Sequence, residues 1–154
     1  MKFTKTHEER LEEKYVELHY RRMDEEARYV EEMFINRIML VGKNEKVSKL
    51  IPPTDIYYLE VVDRHLYAYL EQEVWQLDGG LQETVDRCRE HGLVRIGKSM
   101  AVNIGKVKKI TSDINARIQL ELSNGETVIM NRAYKKDFFS ELKIRYMQKL
   151  EGKK

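Results

Sequence analysis

The sequence predicts a mainly β fold, α+β overall, with a helix at each end. Three observations carry this. Between residues 35 and 77, aromatic and β-branched residues recur in short runs, as in Ile56-Tyr57-Tyr58-Leu59-Glu60-Val61-Val62. Ser123-Asn124-Gly125-Glu126 lies between the alternating run Arg117 to Leu122 and the short apolar run that ends at Met130. That is a hairpin signal, because Asn-Gly accepts the positive φ angles of a type I′ turn. Both flanks instead space their apolar residues by three and four, as helices do.

Taken in order, residues 7 to about 34 predict one long helix. Thr6 with Glu9 matches a capping box, and no Gly or Pro interrupts residues 7–34. Leu11, Tyr15 and Leu18 share a face, and Ala27, Val30 and Phe34 resume it after a drift through Arg22 and Met23. A weak strand signal covers Ile35 to Val41, and Pro52-Pro53 marks a break farther on. Strands are expected over Asp55 to Val62, Leu66 to Leu70 and Val74 to Leu77. The first two are joined by the charged turn Asp63-Arg64-His65. Asp78-Gly79-Gly80 opens a helix with Leu81, Val85 and Cys88 on its buried stripe, and Gly92 stops it.

Val94-Arg95-Ile96 begins as a strand and breaks at Gly97 into a loop of Lys98 and Ser99. Met100, Ala101, Val102 and Asn103 follow, mixing apolar residues with an amide ahead of Gly105 and three lysines. Arg117 to Leu122 alternates polar and apolar, and Thr127 to Met130 is the return strand of the hairpin. A last helix starts near Arg132, with Tyr134, Phe138 and Leu142 on one face.

The chain has 154 residues, 42% hydrophobic and 35% charged, which suits one domain with an appendage. The expected division is a helical extension over 1–35 and a β domain over 36–154. No apolar run approaches the roughly 20 residues of a membrane span. The start, MKFTKTHEERLEEK, turns acidic at once, unlike a signal peptide. The single cysteine, Cys88, allows no internal disulfide, so a cytoplasmic location is expected.

Charge is unevenly spread. Residues 1–34 hold seven Lys/Arg against ten Asp/Glu, and residues 35–91 again seven against ten. Residues 92–154 hold fourteen against six. A basic final third points to an anionic partner. Catalytic constellations are scarce. The four histidines lie far apart in sequence, and Cys88 falls on a core stripe. Neither HExxH, CxxC, a Walker sequence nor a dinucleotide fingerprint occurs. An enzyme is therefore not expected, nor a cofactor or metal. Nucleic-acid chemistry fits better. Lys98 and Arg132 each stand where a strand gives way, within reach of a guanine edge or a phosphate, and Ser99 and Asn103 can bond phosphate or base.

Three separated segments add a resemblance. DIYYLE at 55–60, LDGGLQETVDRCREHGLVRIGKSMAVNIGKVKKI at 77–110 and LSNGETVIMNRAYKKDFF at 122–139 resemble the LytTR DNA-binding domain family in order and spacing, over roughly residues 36–147. The family pattern has a D-I-x-Y-I-E strand, an F-x-R-x-H-[RK]-S-x-x-V-N segment and an N-G-x-x-x-x-x-S-R-x-Y segment. Leu93 stands where Phe is usual, Gly97 replaces His, and Asn131 replaces Ser. The missing His removes one phosphate donor.

The resemblance implies an elongated core of antiparallel sheets with short helices, between a long N-terminal helix and a C-terminal one. It implies a bacterial transcription regulator that places loops into successive major grooves of double-stranded DNA, at repeated half-sites. Carried over, the base-facing candidates are His65, Lys98 and Arg132, with Arg64, Ser99, Asn103 and Lys135 beside them. By the same resemblance Met100, Ala101 and Val102 form a buried anchor after the loop, and Asn103 fixes the turn rather than touching DNA. Many relatives carry a receiver domain first. Only about 35 residues precede the module here, so a stand-alone regulator is expected. Some stand-alone members are controlled by a membrane-bound inhibitor protein. The apolar stripe Leu11, Tyr15, Leu18, Val30 and Phe34 predicts a homodimer, since two such stripes can cover each other. The rival is a protein-interaction adaptor that uses the N-terminal helix, with the β module as its scaffold.

Overall fold

Asp24 begins the first helix. Its carboxylate accepts from the Ala27 N–H at 2.9 Å, a side-chain cap, and α1 (Glu25–Ile35) starts there. The computed structural model describes residues 2, 4–10, 17–35, 38–112, 115 and 117–152. Among the described residues, the long helix expected over 7–34 is reduced to 11 residues. Residues 17–24 are not helical, and neither are residues 7–10 after the Thr6 capping box. The physical reason is local. A capping Asp competes with a helix running through it, and a charged helix with an interrupted stripe has little packing to hold it together. Of the predicted stripe, Leu11 and Tyr15 lie outside the described residues. Leu18 is half-buried in a non-helical stretch, and only Val30 and Phe34 share a helix.

The chain divides into two compact units, Met1–Arg37 and Ile38–Lys154. Among the described residues, the second holds ten strands, all paired antiparallel. They are β1 (Leu40–Lys43), β2 (Ser48–Ile51), β3 (Tyr58–Val62), β4 (His65–Tyr69), β5 (Val74–Leu77), β6 (Leu93–Arg95), β7 (Met100–Asn103), β8 (Val107–Ser112), β9 (Ile118–Leu122) and β10 (Thr127–Met130). Seven form one sheet in the order β2-β1-β5-β4-β3-β7-β6, and three form another in the order β10-β9-β8. Two helices complete the unit, α2 (Leu81–Arg87) and α3 (Lys135–Gly152).

Two strand expectations change. Ile35 belongs to α1, so the strand expected from there begins only at Leu40. β2 carries no strong signal of its own. The hairpin that makes it is set by Asn44, whose side chain accepts from the Lys46 and Val47 N–H groups at 3.1 and 2.9 Å. Farther on, Pro53–Asp55 forms a 3-10 turn, which delays β3 to Tyr58.

The core has two parts. One lies on the large sheet, where Leu59, Ala68 and Leu77 meet Leu81, Val85 and Cys88 of the α2 segment. The other joins the two sheets, with Ile96, Val102, Leu120, Met130 and Phe138 fully buried. Phe138 inserts from α3 into this second core. Arg89 ties α3 down from outside by donating to Glu141 at 2.9 Å. Gly92, at φ +94°, lets the chain reverse from the 3-10 turn after α2 into β6, a backbone shape that side chains resist. The Tyr58 and Tyr69 rings stack across β3 and β4 at 4.2 Å. Burial, then Glu126, Tyr69 and Glu60, pushes the Tyr58 phenol up to about 12.

Candidate nucleic-acid interface

Strand register brings three chain corners to one end of the large sheet. β3 and β4 pair from Tyr58↔Tyr69 to Val62↔His65, so the Asp63-Arg64 turn caps that end. β3 also pairs with β7, Glu60 facing Met100, and the Val61 N–H donates to the Ser99 carbonyl at 2.8 Å. The Gly97–Ser99 loop before β7 therefore lies beside the same turn. The third corner comes after β10. Here the Asn131 N–H donates to the Ile96 carbonyl at 2.8 Å, which sets Arg132 next to the Gly97 loop. Asn131 also accepts from the Ala133 N–H at 2.9 Å and starts the turn that leads into α3.

Arg64, His65, Lys98, Ser99, Arg132 and Lys135 are all exposed. Six of the seven DNA-facing candidates thus stand on one end, on three elements far apart in sequence. Asp63 and Arg64 form a two-residue turn with φ +50° and +67°, the geometry of a type I′ hairpin without its glycine. The Gln76 amide donates to Nδ1 of His65 at 3.1 Å. That bond orients the exposed imidazole ring beside the turn. Beyond Arg132, Lys135, Lys136 and Lys143 line a shallow groove on α3 with Phe139 and Ser140.

Asn103 does not belong with the DNA-facing set. It is only 3% exposed. Its amide donates to the Ile56 carbonyl at 2.9 Å, and its side-chain oxygen accepts from the Gly105 N–H at 3.0 Å. Both ends of the side chain are spent on fixing the turn, and no base or phosphate can reach it. In the predicted anchor, Ala101 and Val102 are fully buried, whereas Met100 is half-buried.

Sequence reading missed Arg95. Its guanidinium donates to the Gly97 carbonyl at 3.0 Å, the Lys98 carbonyl at 2.6 Å and the Gln82 side chain at 2.9 Å. It also lies 5.8 Å from the Tyr134 ring centroid. The signal was available twice, as a charged residue between Val94 and Ile96 in a short strand and as the Arg of the F-x-R-x-H-[RK]-S family segment. Cys88 is buried, and burial pushes its thiol up against the opposing charge of Arg87, as befits a core cysteine. Among the described residues no cluster of His, Cys, Asp and Glu could hold a metal, and no helix is long and apolar enough to cross a membrane.

Comparison with known proteins bears on the same segment. The family model for the LytTr DNA-binding domain matches residues 46–143. The Sensory transduction protein LytT of Enterococcus faecalis (strain ATCC 700802 / V583) is 29% identical over 93 residues. The match covers 60% of this chain and 38% of that relative, so the chain spans well under half of its length. Among solved structures, the LytTr DNA-binding domain of a methyl-accepting/DNA response regulator from Bacillus cereus superposes with a TM-score of 0.63 at 25% identity. It covers 68% of this chain and 95% of that one. The antiparallel sheets, the short helices and the matched segment carrying all three corners agree: the chain belongs to the LytTr DNA-binding domain family.

Proposed function

We propose that this protein is a bacterial transcription regulator that reads double-stranded DNA with three corners of its chain, set into major grooves at repeated half-sites. The observation that carries the reading is the meeting of Arg64 and His65, Lys98 and Ser99, and Arg132 and Lys135 at one end of the large sheet. Cations there neutralise phosphates and orient the protein, while His65, Lys98 and Arg132 present donors to base edges. The regulatory role is suggested by the relatives, a sensory transduction protein and the DNA-binding domain of a response regulator.

Selection from a random duplex library tests the reading. A repeated motif should be enriched, and affinity for it should fall with salt by about 0.9 log units per decade for each phosphate neutralised. Failure to enrich any motif rejects sequence-specific regulation and favours the adaptor. Pairing of two copies is the second part of the proposal. It now rests on α1 alone, where Tyr29, Met33 and Phe34 are exposed beside Val30. Light scattering at micromolar concentration should give a dimer for the full chain and a monomer for a chain starting at Ile38. A monomeric full chain rejects the pairing.

A further inference from the structure

We propose that Arg95 is a positioning residue for DNA reading, whose guanidinium holds the Gly97–Ser99 loop and the Arg132 corner in one fixed arrangement. This role rests on the DNA-reading assignment. Arg95 ends β6, facing Ala101 of β7 across the loop it serves. Its Nε donates to the Gly97 carbonyl and its Nη2 to the Lys98 carbonyl, two successive carbonyls gripped by one planar group. Nη1 donates to Gln82 on α2, which anchors the guanidinium from behind. The same group sits against the ring of Tyr134, two residues past Arg132.

The arrangement does work that the loop cannot do for itself. The Ile96 and Gly97 N–H groups both donate to the Met100 carbonyl, at 3.0 and 3.2 Å, and close the loop at its base. The Gly97 and Lys98 carbonyls at its tip are held by Arg95. The direction of the exposed Lys98 and Ser99 side chains is set by that backbone. Tyr134 and the bond from Asn131 to Ile96 place the Arg132 corner against the same strand end. A base-reading pair must keep its spacing to discriminate, so its support should be rigid.

Arg95 is poorly placed to contact DNA itself. Each of its three nitrogens already donates one bond within the protein, and the residue is half-buried. Lysine would keep the charge but cannot reproduce a planar fork on two carbonyls.

The test uses the full chain with Arg95→Lys, and with Gln82→Ala as a milder variant should the first fail to fold. Two quantities are measured: 15N relaxation of the Gly97, Lys98 and Ser99 amides, and affinity for the selected duplex beside an unrelated duplex of equal length. Arg95→Lys should lower the order of those three amides. It should weaken the selected duplex about tenfold, the equivalent of one charge-assisted hydrogen bond, and leave the unrelated duplex unchanged. The salt dependence should stay as in the parent, because no phosphate contact is lost. Gln82→Ala should give the same pattern, smaller. A loop as rigid as the parent's overturns the proposal, as does unchanged affinity for the selected duplex. Equal losses on both duplexes overturn it too, since they indicate a phosphate contact or a general scaffold role. A parent that discriminates between no two duplexes refutes the DNA-reading assignment, and the positioning role falls with it, whatever the loop does.

Discussion

The β3–β4 turn places Asp63 and Arg64 at φ +50° and +67°, whereas the β9–β10 turn gives its positive φ, +88°, to Gly125. Both reverse an antiparallel pair. In the second, the Gly125 N–H donates to the Leu122 carbonyl at 2.9 Å, and the Leu122 N–H to Glu126 at 2.8 Å. That is a glycine-bulge hairpin, not the type I′ turn that Asn124-Gly125 suggests, since Asn124 keeps a negative φ. Its surroundings are those of the sheet's other end. Ser123 bonds Lys106, and the Asn124 amide reaches the Glu71 carbonyl in the β4–β5 turn. The first turn spends side chains where glycine would be cheapest, at about 1–2 kcal/mol for a residue forced left-handed. Asp tolerates that region better than Arg does. Strain of this kind persists where a side chain is needed outward, and Arg64 is exposed beside His65. The relaxed turn serves the fold, and the strained one serves the end where cations gather.

The largest expected effect lies at the strained end. Arg132→Ala should weaken the selected duplex by about 1–3 kcal/mol if the guanidinium grips a guanine. Lys98→Ala should lose less. If it contacts only phosphate, the loss should be equal on all sequences and the salt slope flatter by about one unit. Titrations at two salt concentrations measure both. If both variants bind like the parent, the two ends differ in strain but not in function.

Gly125→Ala probes the relaxed turn. A Cβ there meets no atom within 4 Å, so the cost is conformational alone. Chemical denaturation should show a loss of about 1–2 kcal/mol. DNA affinity should not change. A fall in affinity without a fall in stability would move part of the interface to the wrong end of the sheet.

The contrast also marks what the sequence could reveal. The Asn-Gly hairpin was legible because turn chemistry and fold agree there, and only its turn type was misread. The Asp63-Arg64 turn was legible as a charged break but not as a left-handed one, because nothing in those two residue types demands positive φ. His65, Lys98 and Arg132 could be named from their segments. Their meeting depends on strand register, which pairs Glu60 with Met100 and is set by packing on both faces of the sheet. Asn103 was legible as a residue that fixes its turn, and its burial and two bonds agree with that role. Arg95 stands at the Arg of the family pattern, but its grip on two loop carbonyls depends on how Gly97 and Lys98 fold back. The long N-terminal helix failed for the opposite reason. Its periodicity was visible, but periodicity supplies no partner surface, and Asp24 caps a shorter helix instead.

Gly97→His sharpens the comparison by adding to the proposed reading end what the family pattern usually has there. A Cβ at Gly97 meets no atom within 4 Å, and its φ lies outside the left-handed region. The substitution should therefore fold without strain. One new phosphate donor should raise affinity on all duplexes by about 1 kcal/mol at low salt. The gain should grow below about pH 6.5, where an exposed imidazole is protonated, and the salt slope should steepen by about 0.9. A histidine that changes nothing would show that this side of the loop faces away from DNA.

The smallest effect is the one that tests the trade itself. Arg64→Gly relieves a left-handed side chain, a gain of about 1–2 kcal/mol. The same change loosens the unfolded chain, a loss of about 0.4–1 kcal/mol. The net should be a protein more stable by about 0.5 kcal/mol or slightly more. Affinity should move the other way, because one exposed cation leaves the reading end and the salt slope flattens by about 0.9. Denaturation and duplex titration on the same sample read both quantities. Opposite signs mean that the turn holds its strain for the sake of the arginine. If stability rises with affinity unchanged, Arg64 is only a poor turn residue. A fall in stability would mean that its side chain supports the fold, and strain at this turn would then say nothing of function.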